Sequence, residues 1–181
     1  VHCQMKTRTK LFSSCPNYFG DDPNTNVCPV CLGLPGALPV ISREAVTLAV
    51  RAALATNGTV HETSIFSRKN YFYPDLPKGY QISQYDRPYA TDGKVEALEA
   101  DGSSKTVRLE RIHMEEDAGK LLHEGYPWSK DQSGVDLNRS GAPLIEIVSE
   151  HDVRSAADAA EYFRRLRESL VTIGVHDGNM G

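Results

Sequence analysis

Two capped helices stand far apart, separated by residues that carry only strand and turn signals, and that spacing restricts the fold more than any other feature. Ser42 suits the N-cap of a helix through Ala45, Val46, Ala49, Val50, Ala53 and Leu54 that closes at Asn57-Gly58. Ser155 opens the second helix with a Ser-Ala-Ala-Asp capping box. Its apolar stripe runs Ala159, Tyr162, Phe163, Leu166, Leu170 and Ile173, and Gly174 suits the C′ position. Between the helices, strands are expected at about 59–66 and 80–85, in a hairpin from 95–100 to 106–114 turning near Asp101-Gly102, and at Pro143–Ser149. Val1, Cys3 and Met5 alternate with His2 and Gln4, as in another strand. Strands joined by hairpins, without regular strand–helix alternation, predict an α+β fold: a mostly antiparallel sheet with flanking helices. With no repeat, low-complexity tract or linker, residues 1–181 are expected to form a single domain, with a cysteine-containing loop at 13–39 inside it.

The 181 residues carry a formal net charge of −4, so the surface as a whole does not attract nucleic acid. Contact with RNA is expected to use local basic patches such as Lys6-Thr7-Arg8-Thr9-Lys10 or Arg68-Lys69. No apolar run approaches the roughly 18–20 residues needed to span a bilayer, and no signal-peptide pattern opens the chain. The first residues read as mid-strand and the last as an unfinished segment, the pattern expected of a partial domain truncated at both ends.

Ser67 to Gln84 carries the strongest functional signal. It holds four aromatics, the cations Arg68, Lys69 and Lys78, Pro74 and Pro77, and several amides and hydroxyls, including Asn70, Tyr80, Gln81 and Ser83. The prolines remove donors and disfavour helix, so the segment is expected to be a rigid loop that presents polar groups to a ligand.

Three acidic positions are candidates for chemistry. Glu146 lies on a strand face with Leu144 and Val148 and is hemmed in by Ile145 and Ile147. An ionised carboxylate there requires a salt bridge, with Arg139 for instance, or a cation. Glu115 and Glu116 follow a hairpin strand and point to opposite faces, so only one of them need enter a site. His2, Glu116 and Glu146 together suit a hard divalent ion such as Mg²⁺.

Cys28-Pro-Val-Cys31 in a chain without secretion signals suggests reduced thiols. Cys15 supplies a third sulfur for a zinc site with Cys28 and Cys31. The fourth ligand is missing from its obvious position, which leaves open a three-cysteine zinc site completed from outside or no metal at all.

The motifs Val1-His-Cys-Gln-Met-Lys-Thr-Arg-Thr-Lys-Leu-Phe12, Pro23-Asn-Thr-Asn-Val-Cys-Pro-Val-Cys-Leu-Gly-Leu-Pro-Gly-Ala-Leu-Pro-Val40, His113-Met-Glu-Glu-Asp-Ala-Gly-Lys120, Val135-Asp-Leu-Asn-Arg139 and Pro143-Leu-Ile-Glu-Ile-Val-Ser-Glu150 span nearly the whole chain. Together they resemble GatB, the B subunit of the aspartyl/glutamyl-tRNA(Asn/Gln) amidotransferases. The resemblance places residues 1–181 in the N-terminal part of that family's catalytic cradle domain, a fold similar to glutamine synthetase and the guanido kinases. It implies a ligase that uses ATP and Mg²⁺ to phosphorylate the side-chain carboxylate of Glu-tRNA(Gln) or Asp-tRNA(Asn). Ammonia released from glutamine then amidates the acyl group. The resemblance implies that it is channelled from the amidase member of a heterotrimer whose third member is small. The implied compartment is the bacterial cytoplasm or an organelle.

By the same resemblance His2, Glu116 and Glu146 match Mg²⁺ ligands, and Glu116, Lys69 and Lys78 match the catalytic site and ammonia path. Arg68, Lys69, Asn70, Tyr80, Gln81 and Ser83 form its substrate and phosphate wall. Zinc-bearing members have Cys-x-Cys plus Cys-x₂-Cys, and here Ser13 replaces the first cysteine. Two other readings are a zinc-knuckle RNA-binding module without catalysis and a stand-alone carboxylate–amine ligase acting on a small molecule.

Overall fold

A computed structural model describes residues 1–98 and 102–178. Among them, five antiparallel strands form the main sheet in the order β1 (His2–Gln4), β9 (Pro143–Ser149), β6 (Ser104–Glu116), β5 (Ala90–Leu98), β2 (Thr59–Val60). The α+β architecture with a mostly antiparallel sheet is as expected. The β5–β6 hairpin also forms, although Asp101 of its expected turn lies outside the described residues.

The two capped helices form where their signals lie. In α2 (Arg43–Ala55) the Ser42 hydroxyl accepts the Ala45 N–H. In α3 (Ala156–Thr172) the Ser155 hydroxyl accepts the Asp158 N–H at 3.1 Å and donates to the Asp158 carboxylate, whose other oxygen accepts the Arg154 N–H in place of the Ser155 N–H of a full capping box. Ala45, Leu48, Ala49 and Ala52 of α2, with Tyr162, Leu166 and Leu170 of α3, share one core with Ile112, Met114, Ile145 and Ile147 of the sheet. Phe163, expected on the buried stripe of α3, is 43% exposed.

Three segments differ from expectation. Only Thr59 and Val60 of the strand expected at 59–66 pair with the sheet, against Thr91 and Ala90. In the segment 67–84 the strand expected at 80–85 forms as β4 (Tyr80–Ser83), but it pairs with β3 (Ser67–Asn70), a stretch expected to be loop, and residues 71–79 form the connection. The cysteine loop contains a single helical turn, α1 (Pro29–Leu32), which begins with proline and ends at Gly33, whose φ of +65° suits glycine. A last hairpin, β7 (Lys120–Leu122) with β8 (Gly134–Asp136), lies in a stretch that has no clear alternation.

Candidate functional site

Alternation along three neighbouring strands assembles the site. On β6, Ile112 and Met114 enter the core, so Arg111, His113 and Glu115 point to the other face. Register pairs His113 with Glu146 on β9, and Glu146 with His2 on β1, placing imidazole, carboxylate and imidazole in one cross-strand row. His113 Nε2 lies 3.0 Å from Glu146 Oε2, and His2 Nε2 lies 3.6 Å from the same oxygen. Glu115, one step along, has Oε1 3.3 Å from His2 Nε2.

The acids that meet are therefore Glu115 and Glu146, and the grouping of Glu116 with His2 and Glu146 does not form. The physical reason is parity: Glu115 shares a face with His113, whereas Glu116 turns away into a separate buried contact. There Glu116 pairs with the Lys78 ammonium, its Oε1 accepts the Ile82 N–H at 3.0 Å, and its carbonyl accepts Gln81 Nε2 at 2.8 Å. Lys78 also lies over the Tyr80 ring at 5.3 Å. Arg139 is no partner for Glu146. It faces Asp117 at 3.5 Å and donates to the carbonyls of Ala118 and Gly119.

The β3–β4 hairpin covers this face. Ser83 donates its hydroxyl to Glu115 Oε2 at 3.1 Å, and Lys69 points toward the same carboxylate. Burial works against the Glu115 charge, but the neighbouring His113, Lys69 and His2 outweigh it and hold the carboxyl below its ordinary value. Burial acts unopposed enough on Asp117 to raise its carboxyl above the ordinary range in spite of Arg139. The Arg68 guanidinium lies over the Tyr80 ring, 4.5 Å from its centre, and Asn70 is exposed. Of the polar wall expected at 68–83, then, Ser83 bonds the Glu115 carboxylate, Gln81 bonds the Glu116 backbone carbonyl and Lys69 acts on Glu115 through its charge, while Arg68, Asn70 and Tyr80 make no bond to the acids.

His2, Glu115 and Glu146 each bring one ligand atom within 4.8 Å of the others. Two carboxylates and an imidazole form a donor set that suits Mg²⁺ or Mn²⁺. Glu115, His113, Arg111 and Asp117 are residues that the sequence reading did not place in the site. Their signal is the two-residue spacing along one strand face, Arg111, His113, Glu115, that continues to Asp117.

A second cluster lies in the cysteine loop. Sγ of Cys28 and Cys31 are 3.7 Å apart, and those of Cys31 and Cys15 are 3.9 Å apart. These spacings match the ~3.8 Å edge of a tetrahedron with Zn–S bonds of about 2.3 Å. Ser13 Oγ stands 3.5 Å from Cys31 Sγ, so the residue replacing the fourth cysteine reaches the cluster. Burial opposes the Cys28 thiolate, yet the N–H groups of Cys31 and Val30 and the Cys15 thiol bring it down to about 7. Burial pushes Cys15 up to about 11. Lys10 is buried beside this cluster, with Nζ 2.7 Å from the Asn26 carbonyl and 3.5 Å from Cys31 Sγ. It is therefore absent from the surface patch expected at Lys6–Lys10.

The GatB/GatE catalytic domain, as a sequence family, matches residues 1–181. Among the curated relatives, the chain is 56% identical over 180 residues to the B subunit of the aspartyl/glutamyl-tRNA(Asn/Gln) amidotransferase of Persephonella marina, covering 99% of this chain and 37% of that protein. The proteins of the same name from Geobacter sulfurreducens and Geotalea daltonii are 55% and 54% identical, again across 99% of this chain and 37% of theirs. The chain thus spans a little over a third of the length of these relatives.

Proposed function

The chain belongs to the GatB/GatE catalytic-domain family, and on that footing we propose that it carries the phosphoryl-transfer site of a tRNA-dependent amidotransferase. The substrate is the side-chain carboxylate of glutamate or aspartate carried on a mismatched tRNA. ATP supplies the phosphoryl group, and the resulting acyl phosphate is attacked by ammonia from an amidase partner, which displaces inorganic phosphate. The observation that supports this reading best is the cluster of His2, Glu115 and Glu146 beneath Lys69. Transfer of a phosphoryl group to a carboxylate brings anions together, and the barrier falls when cations and oriented donors surround them.

The chain's own residues divide that work. His2, Glu115 and Glu146 would hold Mg²⁺, which when bound offsets phosphate charge. Lys69 adds a side-chain cation at the mouth of the same cluster. Ser83 fixes the Glu115 carboxylate, and His113 fixes Glu146. Lys78 and Glu116 form a buried charged pair one residue beyond Glu115, a polar path by which ammonia reaches the acyl group without crossing apolar packing. Cys15, Cys28 and Cys31 are assigned to structural zinc, apart from the reaction.

The test uses the full-length protein in complex with its amidase partner, supplied with misacylated tRNA, glutamine, ATP and Mg²⁺. Wild type is expected to form amidated aminoacyl-tRNA, and Glu115→Gln or Glu146→Gln to lose it by about a hundredfold or more. Lack of ATP-dependent amidation in the wild type would sink the proposal.

A further inference from the structure

The cysteine loop reaches the Lys78–Glu116 pair through a glycine. Gly33 closes α1 at a φ of +65°, and a Cβ placed on it would lie 2.5 Å from Lys78 Cγ, 3.1 Å from Lys78 Cβ and 3.3 Å from Lys78 Cα. All three distances fall inside ordinary carbon–carbon contact, and Cα and Cβ cannot swing aside as a side-chain tip can. The Lys78 stem therefore lies directly against the backbone of the turn, and from there its ammonium pairs with Glu116. We propose that Gly33 is a positioning residue for Lys78. The cysteine-loop turn is a backstop that holds the ammonium on Glu116, and a glycine at position 33 lets the two approach.

A backstop must be firmer than what it supports. Cys31, within α1, is buried with its Sγ 3.5 Å from the buried Lys10 Nζ, which donates to the Asn26 carbonyl at 2.7 Å. Asn138 Oδ1 accepts the Asn26 N–H at 2.8 Å, and the Asn24 side chain donates to the Val135 carbonyl and accepts the Leu137 N–H. The loop is thus tied to β8 and the residues that follow it. Glu116 is fixed as well, since its Oε1 accepts the Ile82 N–H. A Cβ on Gly141 would lie 3.8 Å from Glu116 Oε2 and 3.4 Å from Lys10 Cδ, so the Lys10 stem passes close to the same carboxylate. Lys78, by contrast, belongs to the 71–79 connection, which leaves Phe72 93% and Tyr73 58% exposed. With a methyl forced between them, the connection is the side that gives, and the ammonium leaves Glu116.

Backbone conformation alone does not account for this glycine. Gly36, in the same loop, has a φ of +84°, but a Cβ there would meet nothing within 4 Å among the described residues. The two positions separate the strain of a positive φ from the contact with Lys78. The consequence for the reaction rests on the proposed place of Lys78 and Glu116 in the ammonia path. Displacing Lys78 leaves a buried carboxylate unpaired on that path and does not touch the partner's own amidase site. Glutamine hydrolysis then continues while amidation falls behind it.

The test compares Gly33→Ala, Gly33→Asn and Gly36→Ala. Alanine at 36 incurs the positive-φ penalty without meeting Lys78, whereas asparagine at 33 tolerates that φ but brings the Cβ. In the full-length protein, acetylation of Lys78 by acetic anhydride is followed by mass spectrometry. Both position-33 variants are expected to react about tenfold faster than wild type or more, and Gly36→Ala within about twofold of it. In the complex with the amidase partner, glutamine hydrolysed per amide formed is expected to rise about fivefold in the position-33 variants and to keep the wild-type ratio in Gly36→Ala. If Gly33→Ala does not fold, as judged by circular dichroism, Gly33→Asn decides. Lys78 labelling unchanged at position 33, or raised equally in Gly36→Ala, overturns the positioning role. Faster labelling with an unchanged ratio upholds that role and instead removes the ammonia-path reading of Lys78.

Discussion

His113 and Glu146 face one another across β6 and β9, with Nε2 of the buried imidazole 3.0 Å from Oε2 of the carboxylate. The carboxylate thus has one edge fixed from behind while His2 approaches the same oxygen from the open side. A ligand held in this way presents its remaining lone pairs in one orientation.

Removing that support should be felt in magnesium demand before it is felt in folding. His113→Ala is expected to raise the Mg²⁺ concentration for half-maximal amidation about 10–100-fold, as is common when an outer partner of a metal ligand is lost. His113→Gln, which can still donate toward Glu146, should recover part of the loss. Equal impairment of both variants at saturating and limiting Mg²⁺ would show that His113 serves packing alone.

Lys78 and Glu116 form a pair in which both side chains are almost fully buried. Breaking it from one side strands a charge, so Lys78→Met or Glu116→Gln should each cost about 3–5 kcal/mol of stability in urea unfolding. The double variant should cost clearly less than the sum, because neither charge is then left unpaired. Strict additivity would mean that the two groups do not depend on each other.

How much of the fold and of the site is legible in the sequence depends on the range over which each signal acts. Ser42, Ser155 and Asp158 announce their helices because a cap acts within four residues. Strand parity already separated Glu115 from Glu116, but choosing between them required knowing that His113, not Met114, shares the face of Glu146, and that follows from cross-strand register. Of the β3–β4 hairpin only β4 is legible, because Tyr80 and Ile82 alternate with Gln81 and Ser83. Its partner Ser67-Arg-Lys-Asn70 has no apolar residue to mark a face, and the pairing follows from cross-strand register. Lys10 reads as surface charge in its Lys-Thr-Arg-Thr-Lys run, yet the Asn26 and Leu137 carbonyls that receive it lie 16 and 127 residues away.

Asp158 makes stability depend on acid. Its partners, the Lys105 ammonium first and then the Ser155 hydroxyl and the Arg154 N–H, hold its carboxyl well below the ordinary aspartate range. A folded value below the unfolded one means that the unfolded chain binds the proton more readily. The stabilisation is therefore complete above the unfolded value, near pH 4, and is lost as the pH falls from there toward the folded value. Thermal unfolding followed by circular dichroism should show wild type more stable than Asp158→Asn at pH 7, with the gap narrowing below about pH 4. A gap that stays constant to about pH 2.5 would exclude this carboxylate as the source.

Ser13 provides the sharpest test of the cysteine cluster. Its hydroxyl reaches Cys31 Sγ at 3.5 Å, and the three sulfurs already stand at spacings that suit tetrahedral zinc. The Lys10 ammonium beside Cys31 lowers the cost of gathering thiolates in a half-buried loop. Wild type is therefore expected to bind one zinc through three sulfurs, with an oxygen ligand completing the set. Ser13→Cys replaces that oxygen with a thiolate and should slow zinc loss to a chromogenic chelator by about tenfold or more, since thiolates are the stronger zinc ligands. Zinc removal should also lower the thermal midpoint of both proteins, and more so for Ser13→Cys, because metal bound only by the folded chain stabilises it by an amount that grows with the logarithm of its affinity. If neither protein retains zinc after purification in its presence, the cluster is a set of free thiols, and Ser13→Cys should then leave the thermal midpoint where it was.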